Sequence, residues 1–463
     1  MGSEGGAVVI GASVAGLTAA TVLAQRFAHV TVIERDSLDG SALPRRGVPQ
    51  GHHPHVLLAA GQRALEELFP GICDEMIAEG AVPFDPGLDL IFHRFGGAWP
   101  RARIGMELIS FSRPLLDALL YKRISQLSNV VVRPGTAVSG LAGDANRITG
   151  VVLGDGTTVD AGLVVDASGR GGRSGRWLAD LGCAVPSTVE VNIGVGYASR
   201  FLKREPGGEG EALGYFTLPT APAKRTGILL PVEGDRWLVS MGGWHGDFPR
   251  DEAQMLAFAA ELPLPQIHTA LREAEPLTEV MSMTFPSSKR RYFEKLTAVP
   301  AGYVAAGDAV CSFNPIYGQG MTCATLEALA LGRLLDRYGG ASPDLTRAYY
   351  REVGTILTTP WRFAVGGDFV FPETTGPRPR GISLLNGYSK RVQLAARADP
   401  EVRKVFTAIQ HLLIPPSALF KPSFVLRVLR ASKGAQTQQG AQTQQGPQPQ
   451  QGPQPQQGMQ TRQ

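Results

Sequence analysis

The amino-acid sequence predicts an α/β protein in which a parallel sheet is interrupted by a second, mostly antiparallel sheet. Short apolar runs that end in glycine or an acidic residue have the pattern of buried parallel strands. Residues 115–127 repeat leucine and isoleucine at helical spacing, and 148–159 alternates around Asp155-Gly156, which is a hairpin signal. The predicted parallel strands are 7–10, 30–34, 163–166 and 303–307.

The pattern changes after residue 188. Three segments, 191–201, 227–231 and 237–243, have the composition of strands in an antiparallel sheet. They lie between the two late strands of the first domain, so the sequence predicts an insertion. The expected organisation is a discontinuous first domain of residues 1–188 and 286–345, an inserted sheet domain of 189–285 and a helical region of 346–433.

Composition excludes several classes of protein. The 463 residues are 43% hydrophobic and 19% charged, which is typical of a soluble globular chain of two or three domains. The net charge of +4, with both signs interspersed, does not indicate a nucleic-acid binder. The four cysteines lie far apart without metal-ligand spacing, which argues against a zinc site or a disulfide framework and fits a reducing cytosol.

The sequence shows neither a secretion signal nor a membrane-spanning segment. The N-terminus lacks a basic region with a cleavage site, and no run of about 18 apolar residues occurs, so we expect a cytoplasmic protein. Segment 412–429 contains Pro415, Pro416, Lys421 and Arg427 and is too short and too polar to span a membrane. A docked amphipathic helix is favoured there over contact with a membrane surface.

The last thirty residues differ from the rest. From Gly434 the chain consists of glutamine-rich hexamers, GAQTQQ and GPQPQQ twice each and then GMQTRQ. They hold almost nothing to bury against a core, so 434–463 is predicted to be a disordered tail. A role as an interaction tail is the alternative.

A glycine-rich motif indicates nucleotide binding. Residues 11–16 read GASVAG directly after the first strand, and Glu34 ends the next strand. Gly11 permits a tight turn, Gly16 lets the helix pack closely, and the N–H groups of the helix N-terminus suit a pyrophosphate. Ser13 replaces the usual middle glycine. Glu34 is placed to accept hydrogen bonds from a ribose.

A second motif favours FAD over NAD. Strand 303–307 ends in Gly307-Asp308, and Pro315, Gly318, Gln319 and Gly320 precede a helix. An acid at this turn can bind a ribityl hydroxyl, and the glycines let the loop pass close to a flat ring. The helix N-terminus can face the flavin N1–C2=O locus, where reduced flavin carries negative charge. No cysteine or histidine stands at an obvious flavinylation position, so we expect non-covalent FAD.

These motifs resemble those of the FAD-dependent aromatic hydroxylase and epoxidase superfamily, over roughly residues 6–430. The resemblance implies the para-hydroxybenzoate hydroxylase (glutathione-reductase-2 type) fold, with 189–285 as the substrate-binding domain. It implies that Asp308 holds the ribityl chain and that Arg113, at the start of a helix, contacts the cofactor. The candidate cofactor-binding residues are Gly11, Ser13, Ala15, Gly16, Glu34, Arg35, Arg45, Gln50, Arg113, Val138, Gly307, Asp308, Pro315, Gly318, Gly320 and Met321.

A closer likeness lies in residues 45–57. Their pattern, RxGVPQxxHxHxL, is similar to that of actinomycete polyether epoxidases, the monensin- and lasalocid-type enzymes that oxidise polyketide polyenes. The three histidines lack accompanying carboxylates, so a metal site is not predicted. We expect His53 and His55 to hydrogen-bond backbone or cofactor beside the flavin edge, and a merely structural role is the alternative.

One departure leaves the electron donor open. The hydroxylases carry an Asp-Gly pair that contacts flavin and NAD(P)H, but here Ser168-Gly169 stands where that pair is expected. Asp166 is interpreted as a strand cap. Either NAD(P)H reduces the flavin directly, or a separate flavin reductase is a partner.

The predicted function is a monooxygenase that uses O2. The resemblance implies a flavin C4a-hydroperoxide, so no side chain is assigned as catalytic and the loop of Pro315, Gly318, Gln319 and Gly320 positions the ring. Because no base for making a phenolate stands out, epoxidation of a lipophilic polyketide or polyene intermediate is favoured. The alternatives are aromatic hydroxylation, reduction of isoprenoid-like double bonds, and a non-enzymatic flavin-binding sensor or scaffold. A halogenase is not favoured, because its W-x-W-x-I-P segment is absent.

Aromatic residues of the second sheet and the C-terminal helices are candidates for the substrate wall, although each is equally well explained as ordinary core. They are Phe201, Tyr215, Phe216, Trp244, Phe313, Trp361 and Phe369.

Removing the hexamer tail tests its predicted independence from the folded body. Truncation after Lys433 should leave flavin content and melting temperature nearly unchanged, because the tail has almost no apolar surface to bury. Differential scanning calorimetry and the flavin absorbance of the purified protein measure both. A fall of several degrees would show that the hexamers dock on the body.

Overall fold

The computed structural model describes residues 3–45, 47–205, 207 and 211–431, and the predicted tail 434–463 lies outside these residues. The described residues contain four β-sheets. Their strands, numbered in chain order, are β1 Ser3–Ile10, β2 Phe27–Ile33, β3 Val82–Phe84, β4 Leu90–Arg94, β5 Gly97–Ala98, β6 Leu108–Ser110, β7 Val130–Arg133, β8 Val138–Gly143, β9 Ile148–Leu153, β10 Thr158–Asp160, β11 Leu163–Asp166, β12 Thr188–Lys203, β13 Gly214–Thr217, β14 Arg225–Val232, β15 Arg236–Gly243, β16 Met281–Arg291, β17 Tyr303–Ala305 and β18 Cys311–Ser312.

The helices alternate with strands in the first half of the chain and follow one another in its last part. They are α1 Val14–Ala24, α2 Ala59–Leu68, α3 Ile72–Ala78, α4 Arg113–Ser125, α5 Ser174–Asp180, α6 Glu252–Ala260, α7 Pro265–Glu273, α8 Gly320–Tyr338, α9 Pro343–Asp368, α10 Ile382–Ala396 and α11 Pro400–Gln410. Residues 422–431 are also helical. Within the described ranges, no helix is long and apolar enough to cross a membrane.

The first sheet is parallel throughout, in the order β17-β11-β1-β2-β7. The four strands predicted from apolar runs are its members β1, β2, β11 and β17, and β7 was not predicted. The helix predicted at 115–127 is α4, which begins two residues earlier. The hydroxyl of Ser112 caps it by accepting a hydrogen bond from Leu115 N at 3.4 Å. The predicted α/β fold class is therefore confirmed.

The second large sheet has eight strands in the order β18-β16-β12-β15-β14-β13-β4-β5. All neighbouring pairs are antiparallel except β13 and β4, which are parallel. The eight-stranded sheet extends beyond the predicted 189–285, since β4, β5, β18 and parts of β12 and β16 lie outside these residues. Strand β4 joins through a pairing between residues more than a hundred positions apart, which local patterns do not encode.

Two smaller sheets complete the described fold. The predicted hairpin at 148–159 is confirmed as the antiparallel pair β9 and β10, and β8 extends it to three strands. Strands β3 and β6 form an antiparallel pair. The largest apolar cluster contains the parallel sheet and the helices α1, α4, α8 and α9, and a smaller cluster packs α6 and α7 on the eight-stranded sheet.

Candidate functional site

Two glycines hold the loop between β1 and α1 tight. Gly11 has φ +100°, and a Cβ placed on it would lie 2.5 Å from Ala167 O. A Cβ on Gly16 would lie 1.8 Å from Gly11 O, so helix α1 could not approach the strand with any larger residue there. Ser13 occupies the N-cap position of α1 in an extended conformation. The N-terminus of α1 therefore opens at the carboxyl edge of the parallel sheet.

Glu34 and Arg45 lie against this loop. Glu34 follows β2 and is buried, and its Oε2 accepts a hydrogen bond from Ala12 N at 2.7 Å. Arg45 donates from Nη2 to Ala12 O at 2.6 Å, and its Nη1 lies 3.2 Å from Glu34 Oε2. A carboxylate and a guanidinium thus both lie against the glycine loop. The sequence had placed Glu34 near this loop.

Arg113 contacts the same loop from α4. Its side chain is 4% exposed, and Nη2 donates to Ser13 Oγ at 2.7 Å while Nε donates to Asp117 Oδ1 at 2.8 Å. Arg113 is therefore not a solvent-facing charge at a helix end. It lies beside Ser13 at the glycine loop, and its contact with a cofactor stays a prediction.

Asp308 lies at the same edge of the sheet, after β17. Removal from solvent raises the pKa of its carboxyl, and the positive charges of Arg170, Arg113 and Arg291 act in the opposite direction. Its Oδ1 lies 3.8 Å from the point where a Cβ on Gly320 would stand. Because Gly320 is the first residue of α8, Asp308 sits beside the N-terminus of that helix.

The loop that precedes α8 packs on the histidine-containing segment. Gly318 has φ +66°, and a Cβ on it would lie 3.4 Å from both Val56 Cβ and Val56 O. One turn further, Thr322 Oγ1 accepts a hydrogen bond from Leu58 N at 3.1 Å. The two segments singled out by motif, 315–320 and 45–57, are therefore neighbours in space.

The two predicted histidines are held by protein groups. His53 Nδ1 lies 2.7 Å from Ser199 Oγ, which in turn donates to Ser240 Oγ at 2.7 Å. His55 Nδ1 lies 2.8 Å from the backbone oxygen of His53. Burial lowers the pKa of His53 to about 4, so its ring is neutral at physiological pH. In the described ranges, no three His, Cys, Asp or Glu side chains are grouped to hold a metal ion.

Comparison with known proteins identifies the family. A family model described as FAD dependent oxidoreductase matches residues 7–173. Protein Rv3254 of Mycobacterium tuberculosis is 34% identical over 418 residues, which covers 86% of this chain and 88% of that protein. The chain belongs to the FAD-dependent oxidoreductase family.

Solved structures agree on the fold of this oxidoreductase. A flavoprotein/dehydrogenase from Cytophaga hutchinsonii has a TM-score of 0.66 and 17% identity, and the match covers 94% of this chain and 100% of that one. PqsL, a probable FAD-dependent monooxygenase from Pseudomonas aeruginosa, has a TM-score of 0.58 and 19% identity, with coverage of 79% and 96%. At such identities the likeness shows the fold alone.

The residues of the oxidoreductase fit FAD. The first turn of α1 begins at the glycine loop, and Ser13 makes no side-chain cap hydrogen bond there, so backbone N–H groups of the helix N-terminus are available to a pyrophosphate. One buried polar atom nearby, Gln319 Oε1, has no hydrogen-bond partner within the described part of the chain. Glu34 and Asp308 would supply acceptors for the ribose and the ribityl chain of a bound FAD.

The remaining predicted cofactor residues lie on several different elements. A Cβ on Gly307 would lie 2.8 Å from Ala15 Cβ, so these two positions face each other. Met321 is in the first turn of α8 and is buried, whereas Pro315 and Arg35 are exposed. The other two are Gln50, in the short 3₁₀ turn Pro49–His52, and Val138, the first residue of β8.

Sequence reasoning missed several charged residues of the site. Arg170 donates to Ser312 Oγ and to Ser287 Oγ, each at 2.6 Å, and Arg291 donates to Ala309 O at 2.9 Å. Arg170 immediately follows Ser168-Gly169, the pair that departs from the hydroxylase pattern. That departure was the signal in the sequence that could have drawn attention to Arg170. Asp166 is the strand cap that the sequence indicated, since it is buried and accepts bonds from Ser168 N, Ser174 Oγ and Tyr303 OH.

Glu327 of α8 was also missed. Its side chain is fully buried, and Oε2 accepts a hydrogen bond from Gly307 N at 2.6 Å. Burial is the main cause that raises its pKa to about 8. The residue therefore fixes the turn that carries Asp308 and is neutral at neutral pH. Glu327 lies on the apolar face of α8, and the spacing of apolar residues along a helix does not predict an acid at such a position.

The predicted substrate-wall residues separate into two groups. Phe201 packs instead with Val232 and Leu238, Tyr215 belongs to the cluster under α6 and α7, and Phe216 packs on Phe92. The structure thus does not bring these three to the flavin-binding elements, because their strands direct them to other parts of the eight-stranded sheet. The four that share the cluster of the parallel sheet are Trp244, Phe313, Trp361 and Phe369.

Substitution of Glu34 tests its place in the cofactor site. Glu34→Ala should weaken FAD binding by about 1–3 kcal/mol, because charge-assisted hydrogen bonds to the ribose are lost. Titration of the apoprotein by flavin fluorescence gives the dissociation constant. Asp39→Asn, which removes an exposed carboxylate from the following loop, is the matched control and should bind FAD like the wild type. Equal affinities for all three proteins would contradict the assignment.

Buried His53 should make the fold sensitive to acid. Its pKa in the folded protein, about 4, lies below the ordinary 6.5. Its contribution to stability is therefore complete above pH 6.5 and is lost as pH falls towards 4, by on the order of 3 kcal/mol. Thermal melts from neutral to acid pH should show a shallower decline for His53→Asn than for the wild type. The exposed-site control His29→Asn should follow the wild-type curve.

Proposed function

We propose that this oxidoreductase is a flavin-dependent monooxygenase that epoxidises an alkene of a lipophilic polyketide or polyene intermediate. The observation that carries the proposal is the packing of the Gly318 loop on Val56. This contact joins the loop expected to face the flavin ring to the segment that is similar to polyether epoxidases. A protein of the same fold, PqsL, is itself described as a probable FAD-dependent monooxygenase.

The chain's first task is to hold the cofactor. The glycine loop and the α1 N-terminus take the pyrophosphate, Glu34 takes the ribose and Asp308 takes the ribityl chain. Arg113 and Arg45 bracket the loop with positive charge. When bound and reduced, FAD supplies the electrons with which molecular oxygen is activated. The partial positive charge of the α8 N-terminus, beside Asp308, would stabilise negative charge on a bound and reduced ring.

The second task is to keep water away and to accept an apolar substrate. Trp244, Phe313, Trp361 and Phe369 are each at most 6% exposed and belong to the apolar cluster that contains the flavin-binding strands. An environment of this kind disfavours hydrolytic side reactions. It also suits a hydrocarbon chain better than a charged substrate.

The acids beside the loop favour epoxidation over hydroxylation of a phenol. Hydroxylation usually needs a base that removes the phenol proton. The buried acid nearest the loop, Asp368, is fully enclosed, and its Oδ1 already accepts bonds from Trp244, Asn314 and Tyr317. Its Oδ2 is buried as well, so the carboxyl presents no open oxygen to a substrate. Epoxidation of an alkene needs no such base.

A product assay tests the proposal directly. The holoprotein is incubated with polyene polyketide intermediates, O2 and either NADPH alone or NADPH with a flavin reductase. We expect oxygen uptake and a product one oxygen atom heavier than the substrate. A product two hydrogens heavier would identify a double-bond reductase instead, and the two electron-supply arms decide whether a reductase partner is needed.

A substitution in the loop tests its place in the reaction. Gly318→Val puts a β-branched side chain at φ +66°, a backbone conformation that such residues rarely adopt, and its Cβ would already contact Val56 at 3.4 Å. The two added methyl groups are therefore expected to displace the loop. Oxygen transfer should fall by about 100-fold, since a shift near 1 Å can have that effect, while hydrogen peroxide release rises. Product, peroxide and oxygen uptake are measured together.

A matched control separates loop displacement from backbone strain. Gly339 has φ +69° at the far end of the same helix, and a Cβ on it meets nothing within 4 Å. Gly339→Val therefore carries similar strain away from the site and should keep the wild-type product yield. Wild-type yield from Gly318→Val as well would mean that this loop is not the wall against which oxygen is activated.

A further inference from the structure

Asp368 joins three separate parts of the chain through one oxygen atom. It is the last residue of α9, and its Oδ1 accepts hydrogen bonds from Asn314 Nδ2 at 2.7 Å, Trp244 Nε1 at 2.9 Å and Tyr317 OH at 3.3 Å. Trp244 directly follows β15 of the eight-stranded sheet. Asn314 and Tyr317 belong to the loop that leads into α8. The carboxyl therefore links sheet, loop and helix at one point.

The fold reserves space for this arrangement. A Cβ on Gly367 would lie 2.1 Å from Tyr317 OH, so only glycine at that position lets the tyrosine reach the carboxyl. Phe363 packs edge-on against the Tyr317 ring, with centroids 5.8 Å apart. The backbone oxygen of Asp368 accepts a further bond from Thr374 Oγ1 at 2.8 Å. Several independent contacts thus converge on the same residue.

The second carboxyl oxygen has no such partners. Asp368 Oδ2 is buried and makes no hydrogen bond with any residue that the structure describes. An unpaired oxygen in an enclosed site favours the protonated acid, whereas the three donors on Oδ1 favour the carboxylate. Burial is the larger effect and raises the pKa of Asp368 to about 7.

The charged groups around the carboxyl do not pair with it. Arg94 interacts electrostatically with Tyr317. Burial lowers the pKa of Arg94, and this effect is larger than the increase that Tyr317 causes. His245 Nε2 lies 3.3 Å from Thr374 Oγ1, and that hydroxyl donates to the backbone oxygen of Asp368 and not to its carboxyl. Glu373 is exposed and bound to Lys224 at 2.6 Å. Among the described residues, none forms an ion pair with Asp368.

We propose that Asp368 is a positioning residue of the flavin-facing loop, whose ionisation tightens the link between Asn314, Tyr317 and Trp244. The proton on Oδ2 leaves to solvent or buffer, and the carboxylate that remains accepts three charge-assisted bonds, which are shorter and roughly twice as strong as neutral ones. The effect on catalysis rests on the proposed function, since it assumes that this loop faces the flavin.

A spectroscopic experiment tests the link without relying on turnover. The full chain with FAD bound is labelled with 5-fluorotryptophan, and ¹⁹F spectra are recorded between about pH 5.5 and 8.5. The resonance of Trp244 is assigned with Trp244→Phe. We expect it to shift with a midpoint near pH 7. Asp368→Asn keeps an acceptor oxygen but cannot ionise, so the shift should disappear.

Two further variants complete this experiment. Glu373→Gln removes an exposed carboxylate five residues away and should leave the Trp244 titration unchanged. Tyr317→Phe removes one donor to the ionised form and should move the midpoint to higher pH. A Trp244 resonance that does not titrate in the wild type, or that titrates equally in Asp368→Asn, overturns the proposal. If Asp368→Asn does not fold, Tyr317→Phe decides the question. A titration midpoint that moves to higher pH supports the proposal, and one that does not overturns it.

The catalytic consequence is measured as the ratio of product to oxygen consumed. In the wild type this ratio should rise at least about threefold from pH 6 to pH 8, because charged acceptors hold the loop more firmly. In Asp368→Asn it should stay at the low-pH value with unchanged FAD affinity. A wild-type protein that transfers no oxygen contradicts the proposed function. In that case the Trp244 titration still tests the positioning role of Asp368 independently.

Discussion

The close approach of α1 to the end of β1 is the constraint on which the rest of the site depends. With 1.8 Å between Gly11 O and any Cβ at position 16, the helix can start at this edge of the sheet only if that residue is glycine. All five strands of the sheet are parallel, so their carboxyl ends meet at the same edge. Glu34 after β2 and Asp308 after β17 are therefore carried to the helix N-terminus by the topology itself.

Buried acids set the charge of this edge. Glu327 lies beneath Gly307 with its pKa raised to about 8, so at neutral pH it supports the turn without adding negative charge. Burial is the larger effect on the Asp308 carboxyl and raises its pKa, whereas Arg170, Arg113 and Arg291 lower it. The result is a locally positive environment, which suits the diphosphate of a dinucleotide. A structural acid is thus compatible with an anion-binding site because burial keeps it neutral.

Local sequence patterns predicted the parts of the fold that depend on local physics. Apolar runs predicted β1, β2, β11 and β17, and the apolar spacing in 115–127 predicted α4, since strand burial and helical periodicity act within a few residues. The pairing of β4 with β13 and the placement of Phe201 and Tyr215 depend on contacts far apart in the chain, which no local pattern contains. Asp368 was invisible for the same reason, because its partners Trp244, Asn314 and Tyr317 are 124, 54 and 51 positions away.

The insertion of the eight-stranded sheet bears on the order in which the molecule assembles. Strand β17 pairs with β11, although the two strands are far apart in the chain. Tyr303 of β17 donates a hydrogen bond to Asp166 of β11, which is 137 positions earlier. During synthesis the parallel sheet therefore lacks this strand until most of the second sheet has left the ribosome. Contacts with such separation form slowly. Asp308 follows β17, so the sheet edge that carries Asp308 is completed late in translation, and β11 remains an open strand edge until then.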